Sequence, residues 1–378
     1  MGNILITGGA GFIGSHLARQ LVSLGYNVTV LDNLNPQIHG INPERESSLY
    51  KSLPKNIRFI KSDINNKERM IEAIQNEDVI IHLAAETGTG QSMYEIEQYC
   101  RTNICGTALI LDILANEKTS IKKFILASSR AVYGEGKYYC KEFGYVYPDS
   151  RSEIDMKKGN FEVKLENRNV KLNAVATDEG SKIHPSSVYG ITKQVQEQLV
   201  MTICPPLDIA PIIFRYQNVY GPGQSLRNPY TGILSIFSNR IKKNKQIIVF
   251  EDGKASRDFV YIDDVVRATI LGIENEKAGN QIFNVGSGIQ TSIIDIANHL
   301  MQEFGISVPI VINGSFRIGD IRHNFADLNK IRIMLGFSPS VDLKTGLHNF
   351  VEWVKQQDEG EDKYEYSLAE MKEKGLYK

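Results

Sequence analysis

TGGAGFIGSHL, residues 7–17, follows the apolar run NILIT (3–7) and opens a helical pattern in which Ile13, Leu17, Leu21 and Leu24 share one face up to Gly25. Gly9, Gly11 and Gly14 satisfy G-x-G-x-x-G, and Gly8, Gly11 and Gly14 satisfy the looser G-x-x-G-x-x-G. One glycine makes the tight turn, a second lets backbone approach a pyrophosphate, and a third lets helix and strand pack closely. The helix N-terminus then offers free N–H groups and partial positive charge to phosphates. A lone glycine motif is weak, but this one lies between strand and helix, and Asp32 ends the next apolar run, NVTVLD (27–32), about 20 residues on. A carboxylate there accepts ribose hydroxyls and repels a 2′-phosphate. Asn33 follows it rather than Arg, so the expected dinucleotide is NAD rather than NADP.

Working outward, IRFIKSDI (57–64), DVIIHLAA (78–85), KKFILASS (122–129) and PIIFRYQNVYG (211–221) read as four further strands, separated by segments of helix length. This alternation predicts an α/β fold, a doubly wound parallel sheet of Rossmann type with a smaller α/β substrate-binding domain. The expected division is an NAD-binding domain over 1–217, completed by about 258–290, and a substrate domain over 218–257 and 291–355. Between Gly136 and roughly Asp178 the alternation breaks. A loop of that length without structure is unusual in a compact domain, so about 137–178 is expected to be an ordered insertion over the carboxyl edge of the sheet. A disordered flap is the alternative on composition. NFEVKLENRNVKLNAV (160–175) is its candidate hairpin. The strongly charged tail, 356–378, is expected to be peripheral.

Lys plus Arg (43) nearly balances Asp plus Glu (44), with 42% hydrophobic and 23% charged residues. That balance gives no broad attraction to nucleic acid or an anionic membrane, so phosphate recognition must be local. No apolar run approaches the ~18–20 residues that span a bilayer. The first strand starts at Asn3 and leaves no room for a leader, so a cytoplasmic protein is expected. Cys100, Cys105, Cys140 and Cys204 form no C-x-x-C pair and have no histidine at ligand spacing, so no metal is expected and all four read as ordinary thiols.

SSVYGITKQVQEQL reads as a helix carrying Tyr189 and Lys193, which share a face at i,i+4. A free phenol, with a pKa of about 10, is a poor base at neutral pH. A nearby ammonium and a positive nicotinamide ring favour the phenolate and lower that value. Such a Tyr takes a proton from a hydroxyl as hydride leaves the same carbon. Ser129, ending its strand, is placed to hydrogen-bond the reacting oxygen. In isolation Y-x-x-x-K is common by chance; downstream of this glycine loop it points to catalysis.

TGGAGFIGSHL, HLAA (82–85), N-x-x-G-T (103–107), SSRAVYG (128–134), YGITK (189–193), RYQNVYGPG (215–223), RDFVYIDDV (257–265), FNVGSG (283–288) and RIGDIRH (317–323) occur in this order. Together, over about residues 3–355, they resemble the extended short-chain dehydrogenase/reductase family, in its branch of NAD-dependent nucleotide-sugar epimerases and dehydratases. The resemblance implies a catalytic trio of Ser129, Tyr189 and Lys193. It implies cofactor contacts at Gly8, Gly11, Phe12, Ile13, Gly14, Asp32, Asn33, Asp63, Ile64, Ala84 and Ala85 and at Tyr189 and Lys193 themselves, with Asp63 placed for the adenine amino group or merely capping its loop. Substrate contacts fall on Thr87, Gly88, Arg130, Asn218, Arg257 and Arg317. Arg forks suit a diphosphate, although taken singly each Arg equally suits a surface ion pair.

Members of the family that eliminate water carry an Asp–Glu pair just after the catalytic Ser/Thr; here those positions are Arg130 and Ala131. Without that acid and base, 4,6-dehydration should fail, leaving oxidation at one carbon and return of hydride to the other face. The glycines of ETGTG (86–90) offer room for a ketone to turn over. ETGTGQSMYE, SLRNPYTG (225–232) and the insertion most resemble bacterial dTDP-L-rhamnose 4-epimerases. The expectation is thus a nucleotide-diphospho-sugar 4-epimerase acting on a dTDP-6-deoxyhexose. UDP- or GDP-sugar epimerases, an NAD(P)-dependent reductase of the same family and a non-catalytic NAD sensor are the competing readings. The amphipathic helices around 98–116 and 187–204 are expected to pair in a homodimer.

Overall fold

The computed structural model describes residues 2–165, 168, 170–226, 228, 230, 232–357 and 364–378. Seven strands form one parallel sheet: β1 (Asn3–Thr7), β2 (Asn27–Asp32), β3 (Arg58–Lys61), β4 (Val79–His82), β5 (Lys123–Ser129), β6 (Ala210–Tyr216) and β7 (Gln281–Val285), in the order β7-β6-β5-β4-β1-β2-β3. Strand order reverses direction at β1, between β2 and β4, which opens a crevice at the carboxyl ends of the strands where open α/β sheets bind ligands.

Both faces of the sheet are covered, as a parallel sheet requires. Ile4 and Ile6 pack on one side with Leu17 and Leu21 of helix α1 (Phe12–Ser23), while Leu5 points the other way, to Ile80, Phe124 and Ile110 of helix α2 (Gly106–Asn116). All of these side chains are fully buried, each stabilising the fold by roughly 1.5–3 kcal/mol. Helix α3 (Val188–Ile203) lies beside α2 and carries the Y-x-x-x-K pair.

The run 211–221, expected as one strand, is two. β6 ends at Tyr216, and Asn218–Tyr220 pairs instead with Phe259–Tyr261. The break falls on Gln217, whose backbone N–H donates to Val285 O at 2.9 Å as the chain leaves the sheet. Helix α4 (Ile233–Lys242) and the parallel pair Ile247–Val249 with Ile310–Ile312 follow. Helix α5 (Ile262–Glu274) returns to pack on α1 and leads into β7; helices α6 (Ile293–Phe304) and α7 (Leu343–Lys355) pack on each other.

In the insertion, Tyr138–Cys140 pairs antiparallel with both Gly144–Val146 and Asn173–Ala174, and a helix spans Glu153–Lys157. The candidate hairpin over 160–175 is corrected. Its strand Asn173–Ala174 pairs outside that run, with Tyr138–Tyr139; residues 166, 167 and 169 lie outside the described residues. Arg151 fastens the insertion, donating to Glu135 at 3.0 Å, Glu251 at 2.8 Å and the Asp320 carbonyl at 2.9 Å.

The tail is also corrected. Helix α8 (Tyr364–Glu373) buries Tyr364, Leu368 and Met371 against Ile236, Ile248 and Phe250. Their i, i+4, i+7 spacing makes one apolar helical face despite the surrounding charge, so the segment packs rather than trails.

Candidate active site

Two cavities of about 370 and about 400 Å³ meet at the carboxyl ends of the strands, sharing Thr87, Ser129, Tyr189, Gln217, Val219 and Gln224. The first is lined by Gly8, Gly11, Phe12, Ile13 and Gly14, by Asp32 and Asn33 after β2, and by Ile64, Ala84 and Ala85. A Cβ on Gly14 would stand 2.6 Å from Gly8 O, and one on Gly8, at φ +68°, 2.7 Å from the Ala84 nitrogen. The turn is therefore closed to any side chain at these two positions. No side chain caps α1 at Gly11, so its first N–H groups face the cavity with the positive end of the helix.

Asp32 is buried and held in place by Ala10 N–H at 3.0 Å and Leu34 N–H at 2.8 Å. Burial pushes its carboxyl up, against the opposing pull of those bonds and of His39. Asp63 does not line the cavity. Its carboxylate accepts from Asn65 N–H at 2.9 Å and from the Asn33 amide at 3.3 Å, and those bonds outweigh burial to hold it below its usual value. An uncapped helix over a side-chain-free turn, with a fixed carboxylate at the end of the next strand, fits a dinucleotide.

At the junction of the cavities, Tyr189 is brought to Ser129 by a close approach of α3. A Cβ on Gly190 would lie 2.6 Å from Ala131 O, so only glycine lets the helix settle against the 130–133 turn. Lys193 Nζ donates to Ala127 O at 2.8 Å and lies 5.9 Å from the centre of the Tyr189 ring. Burial lowers the Lys193 ammonium to about 7, opposed by Glu197. Glu197 in turn accepts two bonds from Arg215, at 2.9 and 2.7 Å, tying α3 to β6. Burial pushes the Tyr189 phenol up, while a hydrogen bond with Ser129 and the charge of Arg130 pull it down. This direction differs from the lowered value expected of the sequence. The protein side of the site is dry, and the positive ring included in that expectation belongs to the cofactor.

The second cavity brings together Thr87, Gly88, Arg130, Asn218, Arg257 and Arg317, which lie far apart in the chain. Arg257 is fixed by the carbonyls of Ser256, Arg322 and Ile321 at 2.7–3.0 Å. Arg317 pairs with Asp320 at 2.8 Å and lies over the Phe250 ring at 5.2 Å. Arg130 makes no hydrogen bond or ion pair among the described residues, and burial, then the charge of Arg257, lowers it to about 9. Glu251, the other carboxylate on the wall besides Asp320, is engaged by Arg151 and Arg322, so Asp320 alone opposes three guanidinium groups. Such a surplus of forked donors in a buried cleft is built for a dianion.

Gln217 escaped the sequence reading. Its side chain is 5% exposed at the junction of the cavities, with neither amide atom hydrogen-bonded among the described residues. The only signal was a polar residue where an apolar strand ends. Also unforeseen are Tyr364, Leu368 and Met371, which line the second cavity from the tail. All four cysteines are free, and no group of His, Cys, Asp or Glu suited to a metal occurs among the described residues. No described helix is long and apolar enough to cross a membrane.

A fold and site of this kind define an NAD-dependent enzyme of the nucleotide-sugar class, and comparison with known proteins gives the family. Residues 5–151 match the GDP-mannose 4,6 dehydratase model and residues 170–286 that of the NAD dependent epimerase/dehydratase family. The chain belongs to this NAD-dependent epimerase/dehydratase family, within the extended short-chain dehydrogenases/reductases, and its cofactor is NAD. It is 37% identical to dTDP-L-rhamnose 4-epimerase of Burkholderia thailandensis, over 94% of this chain and 95% of that one. It is 32% identical to a putative UDP-glucose 4-epimerase of Methanocaldococcus jannaschii, over 94% and 99%. The structure of UDP-glucuronic acid 4-epimerase from Bacillus cereus, in complex with UDP-glucuronic acid and NAD, superposes with a TM-score of 0.77 at 29% identity, covering 94% of this chain and 99% of that one.

Proposed function

We propose that the enzyme is a nucleotide-diphospho-sugar 4-epimerase acting on a dTDP-6-deoxyhexose such as dTDP-L-rhamnose. The observation that carries this reading is the wall beside Tyr189, where Arg130 and Ala131 stand in place of the acid and base an elimination needs. Ser129 holds the C4 oxygen, Tyr189 takes its proton, and Lys193 with the Ala127 carbonyl fixes the face of α3 that presents the phenol. Bound NAD supplies reversible acceptance of the C4 hydride. Arg257, Arg317 and Asn218 keep the diphosphate anchored while the ketone turns, and Tyr189 returns the proton when the opposite face is reduced. Gly88, which lines the cavity without a side chain, is read as leaving room for that rotation.

In this reading residues 1–217 with 258–290 bind the cofactor, and 218–257 with 291–355 bind the substrate. The dTDP-L-rhamnose 4-epimerase relative favours the thymidine sugar, while the UDP-sugar relatives support a UDP-sugar as the second reading. A homodimer through α2 and α3 is part of the proposal, and the exposed Ile96 and Ile191 near those helices support it. The test is NMR of dTDP-L-rhamnose, UDP-glucose and UDP-glucuronic acid incubated with the protein. Appearance of a C4 epimer without bulk change at 340 nm is the expected result. A stoichiometric absorbance change would make the enzyme a reductase or dehydrogenase, and light scattering at the mass of one chain would remove the dimer.

A further inference from the structure

The carboxyl-terminal segment is built into the substrate cavity more firmly than a tail needs to be. On its inner face Tyr364, Leu368 and Met371 line the cavity. Met371 lies at the end beside the Thr87–Gly90 loop, its sulfur 3.4 Å from where a Cβ on Gly90 would stand, with Arg317 Nη1 3.9 Å from the same point. On the neighbouring face Glu370 accepts from two tyrosines of different regions, Tyr94 at 3.2 Å and Tyr230. Arg240 lies over the Tyr364 ring at 5.2 Å and pairs with Glu365 at 3.3 Å. Past the helix, Phe316 and Lys378 exchange backbone bonds at 3.1 and 3.0 Å, and Ile318 N–H donates to Leu376 O at 2.9 Å. These bonds flank Arg317, so the chain end braces the backbone of a cavity cation.

Arg317 borders the same end of the cavity as Met371, while the inner face of α8 itself offers a thioether and a leucine there. An apolar surface at that end gains from covering C–H and methyl groups. A hydroxyl or carboxylate pressed against the thioether sheds water and receives no hydrogen bond from that side chain in return.

We propose that α8 is a specificity wall of the substrate site, with Met371 contacting the sugar of a bound nucleotide 6-deoxy sugar and Glu370 positioning the wall between Tyr94 and Tyr230. The proposal rests on the cavity being a nucleotide-sugar site and adds a determinant of which sugar fits. Glu370 is a positioning residue, acting through the helix it fixes.

The test uses the full-length protein carrying Met371→Ala, Glu370→Ala, Glu370→Gln or, on the exposed face of α8, Tyr366→Ala. Affinities for dTDP-L-rhamnose, UDP-glucuronic acid and dTDP alone are measured by calorimetry, with bound NAD and Tm recorded for each variant. Met371→Ala and Glu370→Ala should weaken dTDP-L-rhamnose at least fivefold and dTDP alone less than twofold, with NAD content retained and the protein folded at the assay temperature despite a lower Tm. Glu370→Gln, which keeps an acceptor for both phenols, should bind within twofold of wild type, as should Tyr366→Ala. The proposal is overturned if Met371→Ala binds the sugar as wild type does, if dTDP alone weakens equally, or if every loss follows lost NAD or unfolding at the assay temperature. A wild-type protein that binds no nucleotide sugar would refute the functional reading itself. Binding by wild type with unchanged variants would refute only the wall.

Discussion

Lys193 stands one helical turn from Tyr189, with its amine 5.9 Å from the centre of the phenol ring and donating to the Ala127 carbonyl. The amine is thus anchored to the strand that ends in Ser129, which fixes the helix face carrying the phenol. Removing the phenolic oxygen should leave this anchor intact. Tyr189→Phe is expected to keep NAD and nucleotide-sugar binding while turnover falls by about 10²–10⁴. Single-turnover NMR alongside calorimetry checks it, and near-normal turnover would take Tyr189 out of the chemistry.

Gln217 carries a different expectation, because its buried amide lacks a partner among the described residues. A buried unsatisfied polar group costs about 1–3 kcal/mol. Gln217→Leu should therefore raise the Tm of the ligand-free protein and weaken the nucleotide sugar at least tenfold. Gain of stability with unchanged affinity would make the amide a packing defect instead of a ligand contact.

The phosphate turn is tested at Gly14, where a Cβ would meet Gly8 O at 2.6 Å. Gly14→Ala is expected to purify with less than about a tenth of the wild-type NAD, and to fold with α1 shifted from the sheet. Release of nucleotide by acid precipitation measures the content directly, and full retention would mean the turn adapts.

Glu77 gives a pH dependence of known sign. Burial raises its carboxyl to about 7, with one oxygen bonded to Thr29 at 2.7 Å and the other unpartnered among the described residues. The folded state therefore binds this proton more tightly than the unfolded chain does, between about pH 4.5 and 7. Stability from this group falls as pH rises through that window and stays low above it. Glu77→Gln keeps an acceptor for Thr29 and removes the charge. Its Tm should exceed that of wild type at pH 8, and the two should converge near pH 4.5. Equal Tm differences at both values, read by differential scanning calorimetry, would rule the ionisation out as the cause.

The features legible in the sequence are those whose meaning is local. Gly8 to Gly14 and Asp32 belong to one strand–turn–helix–strand unit, where spacing along the chain fixes distance in space. Tyr189 and Lys193 share a helix face for the same reason, since i and i+4 are neighbours whatever surrounds them. Asp63 shows the limit of a local signal. A carboxylate at the end of a strand suits either a ligand or its own turn, and Asp63 accepts bonds from Asn33 and Asn65 of the turns beside it. Gln217 was hidden because it takes its position from β7, nearly 70 residues later, which draws its backbone to Val285.

The tail separates the two kinds of information most clearly. By itself the sequence determined the parallel sheet, the glycine turn and the shared helix face of Tyr189 and Lys193, because each follows from short-range periodicity and backbone sterics. Tertiary structure alone decided that Tyr364, Leu368 and Met371 line the second cavity and that Glu370 accepts from Tyr94 and Tyr230. Those contacts span 276 residues in one case and 140 in the other. No local pattern encodes such a distance. It is set when the apolar face of α8 meets Ile236, Ile248 and Phe250, which remove it from water.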